Sequence, residues 1–171
     1  LGQGATLCIF EKDHAGLDNP EARFLGAYSS AEDNTNPLGQ RPDGEGYSKA
    51  IAGSLHIAGV RTEDITVVKT HGTGTAVNNK PENAALERSL EEFVATSYKQ
   101  RVGHTMGASG LLETGLLLND MKRGIVPQIL NRTENDDVFL SYDAPAPRGP
   151  FLSLAAGMGN IYSAAIFSAE V

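Results

Sequence analysis

The chain has 171 residues, 40% of them apolar and 20% charged, the balance of an ordinary globular domain able to bury a real core. Fourteen Lys and Arg against 21 Asp and Glu leave a formal charge of −7, which argues against nucleic acid and against an anionic membrane as partners. No apolar run approaches the roughly 20 residues that cross a bilayer, and the single Cys8 allows neither a disulfide framework nor a cysteine-based metal cluster within the chain.

The chain opens on Leu1-Gly2-Gln3-Gly4, without a methionine, and runs straight into an apolar stretch, as expected of a chain cut from something longer. A cytoplasmic location is the default expectation. Residues 5–11 have the length and apolar character of a strand, which would put Cys8 in the core as a small apolar side chain. Residues 24–30 predict the next strand, after a turn rich in Gly, Asp, Asn and Pro. Residues 31–46 read as a long surface loop. Tyr47, Ile51, Leu55 and Ala58 then recur at helical spacing, and Gly59 supplies a stop.

Ile65-Thr66-Val67-Val68 is β-branched and strand-like, and it leads into the Gly-rich Thr70–Thr75 segment. Pro81, with Asn79 as cap, predicts a helix start, and Leu86, Leu90 and Phe93 continue that helix on one face. A further helix is predicted from Ser109 to Gly124. Its Leu111, Leu112, Leu116, Leu117 and Leu118 occupy more than one face, so burial on nearly all sides is expected. Residues 138–142, 151–156 and 162–168 are strand candidates. Strands alternating with helices predict the α/β class, a sheet covered by helices.

Two segments could carry chemistry. Thr70-His71-Gly72-Thr73-Gly74-Thr75 places a histidine at a strand end, with glycines that let backbone approach a ligand and hydroxyls that can bind one. It lacks the spacing of a phosphate-binding Walker loop. Taken alone, it could equally be a turn with an incidental histidine. Gly103-His104-Thr105-Met106-Gly107-Ala108-Ser109-Gly110 places a second histidine ahead of the apolar helix. The positive end of a helix dipole favours neutral imidazole there, a donor toward an oxygen gaining negative charge. Helix-entry packing would explain that segment as well. His14 and His56 read as structural or solvated, and no zinc-ligand spacing links His71 to His104.

Together, in order and spacing, the two segments resemble the C-terminal half of the β-ketoacyl synthases, of the thiolase-like superfamily. A His-Gly-Thr-Gly-Thr motif at a strand end is followed, eleven residues after its histidine, by Glu82. Lys99 stands five residues before His104 and Glu113 nine after it, and Gly2-Gln3-Gly4-Ala5 is similar to the family's Gly-Glu-Gly-Ala segment. The chain departs from the family at Ala156-Gly157-Met158-Gly159-Asn160, where a Phe-Gly-Phe-Gly-Gly loop is usual, and at Asn79, where Asp is usual.

The resemblance implies the C-terminal half of a duplicated, layered αβαβα architecture. Residues 1–30 would be the last strands of the N-terminal half and residues 31–171 the C-terminal half. It implies decarboxylative Claisen condensation of an acyl thioester with malonyl carrier protein, in fatty-acid, polyketide or polyene synthesis. His71 and His104 would be catalytic donors converging on one substrate oxygen, and Lys99 would order the surroundings of His104. Thr73 and Thr75 would bind the phosphopantetheine arm of an acyl carrier protein. Gly157 and Met158 would line the substrate site, the amide of Met158 serving an oxyanion. Glu82 and Glu113 would be structural supports. The nucleophilic cysteine belongs to the family's N-terminal half, so that half is an expected partner, in a homo- or heterodimer. No cofactor or metal is implied. A non-catalytic, chain-length-factor type subunit is the alternative, favoured by the altered 156–160 loop and opposed by the two histidines. A degradative or sterol-precursor thiolase is a further alternative, one that would lack the Lys99-to-His104 segment.

Overall fold

The computed structural model describes residues 1–12, 20–33, 36, 39–129 and 142–169. In chain order the elements are β1 (Arg23–Ala31), α1 (Glu45–Ala58), β2 (Val67–Lys69), α2 (Ala76–Ser89), β3 (Val94–Thr96), α3 (Lys99–Val102), α4 (Ser109–Lys122), β4 (Ile125–Val126), β5 (Ala144–Pro145), β6 (Gly149–Gly157) and β7 (Ile161–Ala169). Five strands form one mixed sheet in the order β1-β7-β6-β2-β3. β6 and β7 form an antiparallel hairpin that β1 extends, while β2 lies parallel to both β6 and β3.

Alternation along the strands sends side chains into two cores. On one face Val68, Leu152, Leu154 and Ile166 pack with Tyr47, Ile51 and Leu55 of α1 and Leu86 of α2. On the other, Val67, Phe151 and Phe167 pack with Leu117 and Met121 of α4. The result is the three-layer α/β arrangement, helices on both faces of a sheet, that the alternating pattern predicts. α1 ends where expected: Gly59 takes a left-handed φ of 64°, and the N–H of Val60 closes back on the Leu55 carbonyl.

Several expectations need correction. Residues 5–11 form no strand, and Cys8 is exposed rather than in the core. An apolar run becomes a strand only against a ladder partner, and none of the described residues pairs with it. Leu1–Gly4 instead passes the turn before α4, with the Gly2 N–H donating to the His104 carbonyl at 3.0 Å. α2 begins at Ala76, not at Pro81, so Asn79 is no cap. The Thr75 carbonyl accepts the N–H groups of Asn78 and Asn79 at 3.0 and 2.8 Å and starts the helix by itself, leaving Pro81 inside it. α2 stops at Ser89, which leaves Phe93 outside. In α4 only Leu117 of the five leucines is fully buried, because one face meets the sheet while Leu111, Leu112, Leu116 and Leu118 stay partly open. His56 is exposed on α1. His14 and almost all of the 138–142 strand candidate lie outside the described residues.

Candidate active site

β2 is the central parallel strand, and its end delivers His71. The Thr70 N–H and hydroxyl both donate to the Thr96 carbonyl at 3.0 Å, continuing the register with β3. The chain then turns at Gly72, whose φ is 52°; a Cβ there would lie 2.5 Å from Ser97 Oγ and 2.6 Å from Thr70 Oγ1, so only glycine fits. Glu82, fully buried on α2, accepts the N–H groups of His71 at 2.6 Å and Gly72 at 2.9 Å. That pair of bonds locks the backbone that carries His71. Burial pushes the Glu82 carboxyl above its ordinary range, against the two N–H groups that favour its ionised form.

His104 comes from the turn between α3 and α4. Its Nδ1 accepts the Met106 N–H at 3.0 Å, and a backbone N–H can only donate. Nδ1 is therefore the acceptor nitrogen, and in the neutral ring the proton is on Nε2. Met106 adopts φ 54°, unusual for a non-glycine residue, and that turn is what presents its N–H. Ser109 Oγ lies 3.2 Å from the same Nδ1 and accepts the Thr105 N–H at 3.0 Å.

The two rings meet edge to face with centroids 5.6 Å apart. His71 is 6% exposed. Burial first, then the ammonium groups of Lys99 and Lys69, push its pKa down to about 2. Partial burial, then Lys99, also holds His104 below the usual histidine range. Both rings are therefore neutral near pH 7. Behind them lies a buried charge cluster, in which Lys99 Nζ donates to Glu113 Oε1 at 2.7 Å and Lys69 Nζ stands 3.7 Å from Glu113 Oε2.

An open cleft of about 210 Å³ brings His71, His104, Thr73, Gly157 and Met158 together. Thr75 does not line it; it stands at the N-cap of α2 with its hydroxyl 3.3 Å from that of Thr73. Met158 is exposed at the turn between β6 and β7. Lys99, Glu82 and Glu113 lie behind the histidines and do not line the cleft.

Sequence reasoning missed four residues here. Gln40, Asn78 and Asn160 also line the cleft. Gln40 Nε2 donates to Asn78 Oδ1 at 2.9 Å, and Asn78 Nδ2 to Thr73 Oγ1 at 2.8 Å, a relay that leaves the Thr73 proton free to point elsewhere. Nothing in the sequence relates Gln40, in a long loop, to this motif. Lys69 was findable, since a lysine closing a β-branched strand buried on both faces has to be met by an anion. Among the described residues no cluster of three or more His, Cys, Asp or Glu could hold a metal ion, and no helix is long and apolar enough to cross a membrane.

A family model described as "Beta-ketoacyl synthase, C-terminal domain" matches residues 21–133. The chain is 30% identical over 185 residues to the tetracenomycin polyketide synthase ketoacyl synthase alpha subunit of Streptomyces glaucescens, covering 98% of this chain and 42% of that protein. It is 33% identical over 154 residues to the 3-oxoacyl-[acyl-carrier-protein] synthase 2 of Mycobacterium leprae, covering 86% of this chain and 36% of that one. Among solved structures, a β-ketoacyl synthase from Burkholderia phymatum superposes with a TM-score of 0.79 at 26% identity, over 88% of this chain and 38% of that one. The ishigamide ketosynthase/chain length factor gives 0.77 at 26% identity, with the same coverage of 88% and 38%. The chain thus spans about two fifths of the length of the proteins it matches.

Proposed function

Since the chain belongs to the β-ketoacyl synthase family, as a C-terminal ketosynthase domain of thiolase-like fold, we propose that it supplies the carbanion-forming part of a 3-oxoacyl-[acyl-carrier-protein] synthase. The observation that carries this reading is the pair of neutral imidazoles, 5.6 Å apart, over one cleft. A malonyl thioester on a carrier protein enters with its carbonyl oxygen toward the two rings. As the C–C bond to the carboxylate breaks and carbon dioxide leaves, the electron pair moves onto that oxygen. His104, through Nε2–H, and His71 donate hydrogen bonds to it. Donors already aimed at the oxygen where charge develops favour the transition state over the ground state. The carbanion then attacks an acyl thioester held on a cysteine in the preceding half of the protein, and the cysteine thiolate leaves.

The supporting residues follow from their places. Glu82 fixes the His71 backbone, and Lys99 with Glu113 fixes the floor behind both rings. Thr73, aligned by Asn78, and Thr75 beside it offer hydroxyls to the amides of a phosphopantetheine arm. The Gly157-Met158 turn offers a backbone N–H to the second oxyanion and a flexible apolar wall. The partners on this reading are an acyl carrier protein, the preceding half, and a second subunit as homo- or heterodimer. Exposed Met158, where the family carries phenylalanine, favours one further reading, a non-catalytic chain-length-factor type subunit. The test is carbon dioxide release from malonyl carrier protein by the full-length protein, measured apart from acylation of its thiol. His104→Ala is expected to lower release on the order of a hundredfold or more while acylation falls much less. A parent protein that binds carrier but releases no carbon dioxide would establish the subunit reading instead.

A further inference from the structure

Lys69, the last residue of β2, has no exposed surface. β2 is an inner strand with helices packed over both faces of the sheet and all three of its residues buried, and a buried ammonium there needs carbonyls or anions. Its Nζ donates to the Leu154 carbonyl at 2.7 Å and faces Glu113 Oε2 at 3.7 Å. That oxygen has no hydrogen bond from another described group, while Lys99 takes Oε1 at 2.7 Å. Glu113, fully buried on α4, therefore lies between two ammonium groups brought by β2 and α3. Five titratable or charged groups gather here: Lys69, His71, Glu82, Lys99 and Glu113, with His104 at the rim. The two cations balance the two carboxylates only when Lys69 is counted. The mechanism above uses Lys99, Glu82 and Glu113 but gives Lys69 nothing to do.

We propose that Lys69 is a positioning residue of the cleft: it clamps Glu113 against Lys99 and, through Leu154, sets the path of β6 into the Ala156–Met158 wall opposite the two histidines. Leu154 is two residues before Ala156 on β6, so a shift in this bond is transmitted directly to the cleft lining. The inference rests on the functional reading above, because a wall matters only if the cleft holds substrate. Burial brings the Lys69 pKa down to about 8, opposed by Glu113, so the clamp is charged below that pH and lost above it.

The experiment uses the full-length protein labelled with ¹³C at lysine Cε, with the Lys69 signal identified by its absence in Lys69→Met. The parent is expected to show Lys69 titrating near pH 8. Glu113→Gln, which removes the facing anion, is expected to lower that midpoint by roughly one pH unit or more. A midpoint unmoved by Glu113→Gln overturns the clamp, whether or not the protein turns over. In malonyl decarboxylation, the parent rate is expected to fall as pH rises through 8, whereas Lys69→Met is about tenfold or more slower and lacks that alkaline limb. Lys69→Met at the parent rate, with the limb intact, overturns the positioning role. If the parent releases no carbon dioxide, the functional reading fails while the lysine titration still decides the clamp. Should Lys69→Met not fold, Lys69→Met/Glu113→Gln removes one charge of each sign and is expected to restore folding. A double variant no better folded than the single one also overturns the pairing.

Discussion

His71 stands at the buried end of a central strand, whereas His104 is in a half-exposed turn ahead of α4. The first is held through its backbone, by a carboxylate that takes its own N–H and that of Gly72. The second is held through its ring, by one N–H from a residue in a left-handed conformation. Burial and neighbouring ammonium groups keep His71 neutral far into acid; His104, more open, is shifted in the same direction by partial burial and Lys99. Two identical side chains thus reach the same protonation state by different routes. The buried route is insensitive to solvent but depends on a costly charge network. The exposed route relies on partial burial and on Lys99 from that same network.

The largest expected effect breaks the buried side. Glu82→Ala leaves two buried N–H groups without their acceptor, a loss of about 2–6 kcal/mol in urea unfolding. A loss below about 1 kcal/mol would mean that water replaces the carboxylate, and the contrast with His104 would weaken.

A pH series sharpens the same contrast. Above the ordinary histidine value of 6.5, His71 is neutral in folded and unfolded chains alike and contributes nothing to pH dependence. Below 6.5 the unfolded chain takes up a proton that the folded chain refuses until about pH 2. Stability therefore falls as pH is lowered through that window, by up to about 1.4 kcal/mol per pH unit from this residue. His71→Gln is expected to remove that part of the slope from urea midpoints, and His104→Gln a smaller part. Equal slopes in the parent and in His71→Gln would sink the account of His71.

The smallest effect probes the exposed side. Met106→Gly relieves the left-handed strain of the turn but enlarges the freedom of the unfolded chain, so a net change within about 1 kcal/mol is expected. The His104 Cδ2 chemical shift is the sharper readout. It should stay that of an Nε2–H tautomer, because the N–H that sets it is retained.

The parts of this molecule that were legible in the sequence are those fixed by local chemistry. Gly59 ends α1 because a left-handed residue is needed there, and the Thr70–Thr75 motif follows a strand because only glycine fits at 72. The 151–156 and 162–168 strand candidates are mostly apolar and became the longer β6 and β7. What stayed hidden depends on partners distant in the chain. Residues 5–11 carry strand chemistry and find no neighbouring strand among the described residues. α2 starts on a backbone carbonyl rather than a capping side chain, so Asn79 misled. For Lys69 the need for an anion could be read from its strand, but not that α4 supplies it as Glu113. Gln40 reaches the cleft only because its loop folds back over α2 to bond Asn78.

The strand order has a bearing on how the cleft comes into being. β6 and β7 are neighbours in sequence and close as a hairpin, an early kind of event in folding, whereas β2 has to find β6 across much of the chain. The walls of the cleft straddle that slow pairing, with His71 on one bank and Gly157-Met158 on the other. During synthesis the histidine motif emerges long before the strand it needs. The cleft therefore cannot exist on a growing chain until the β6–β7 hairpin has been made and has docked.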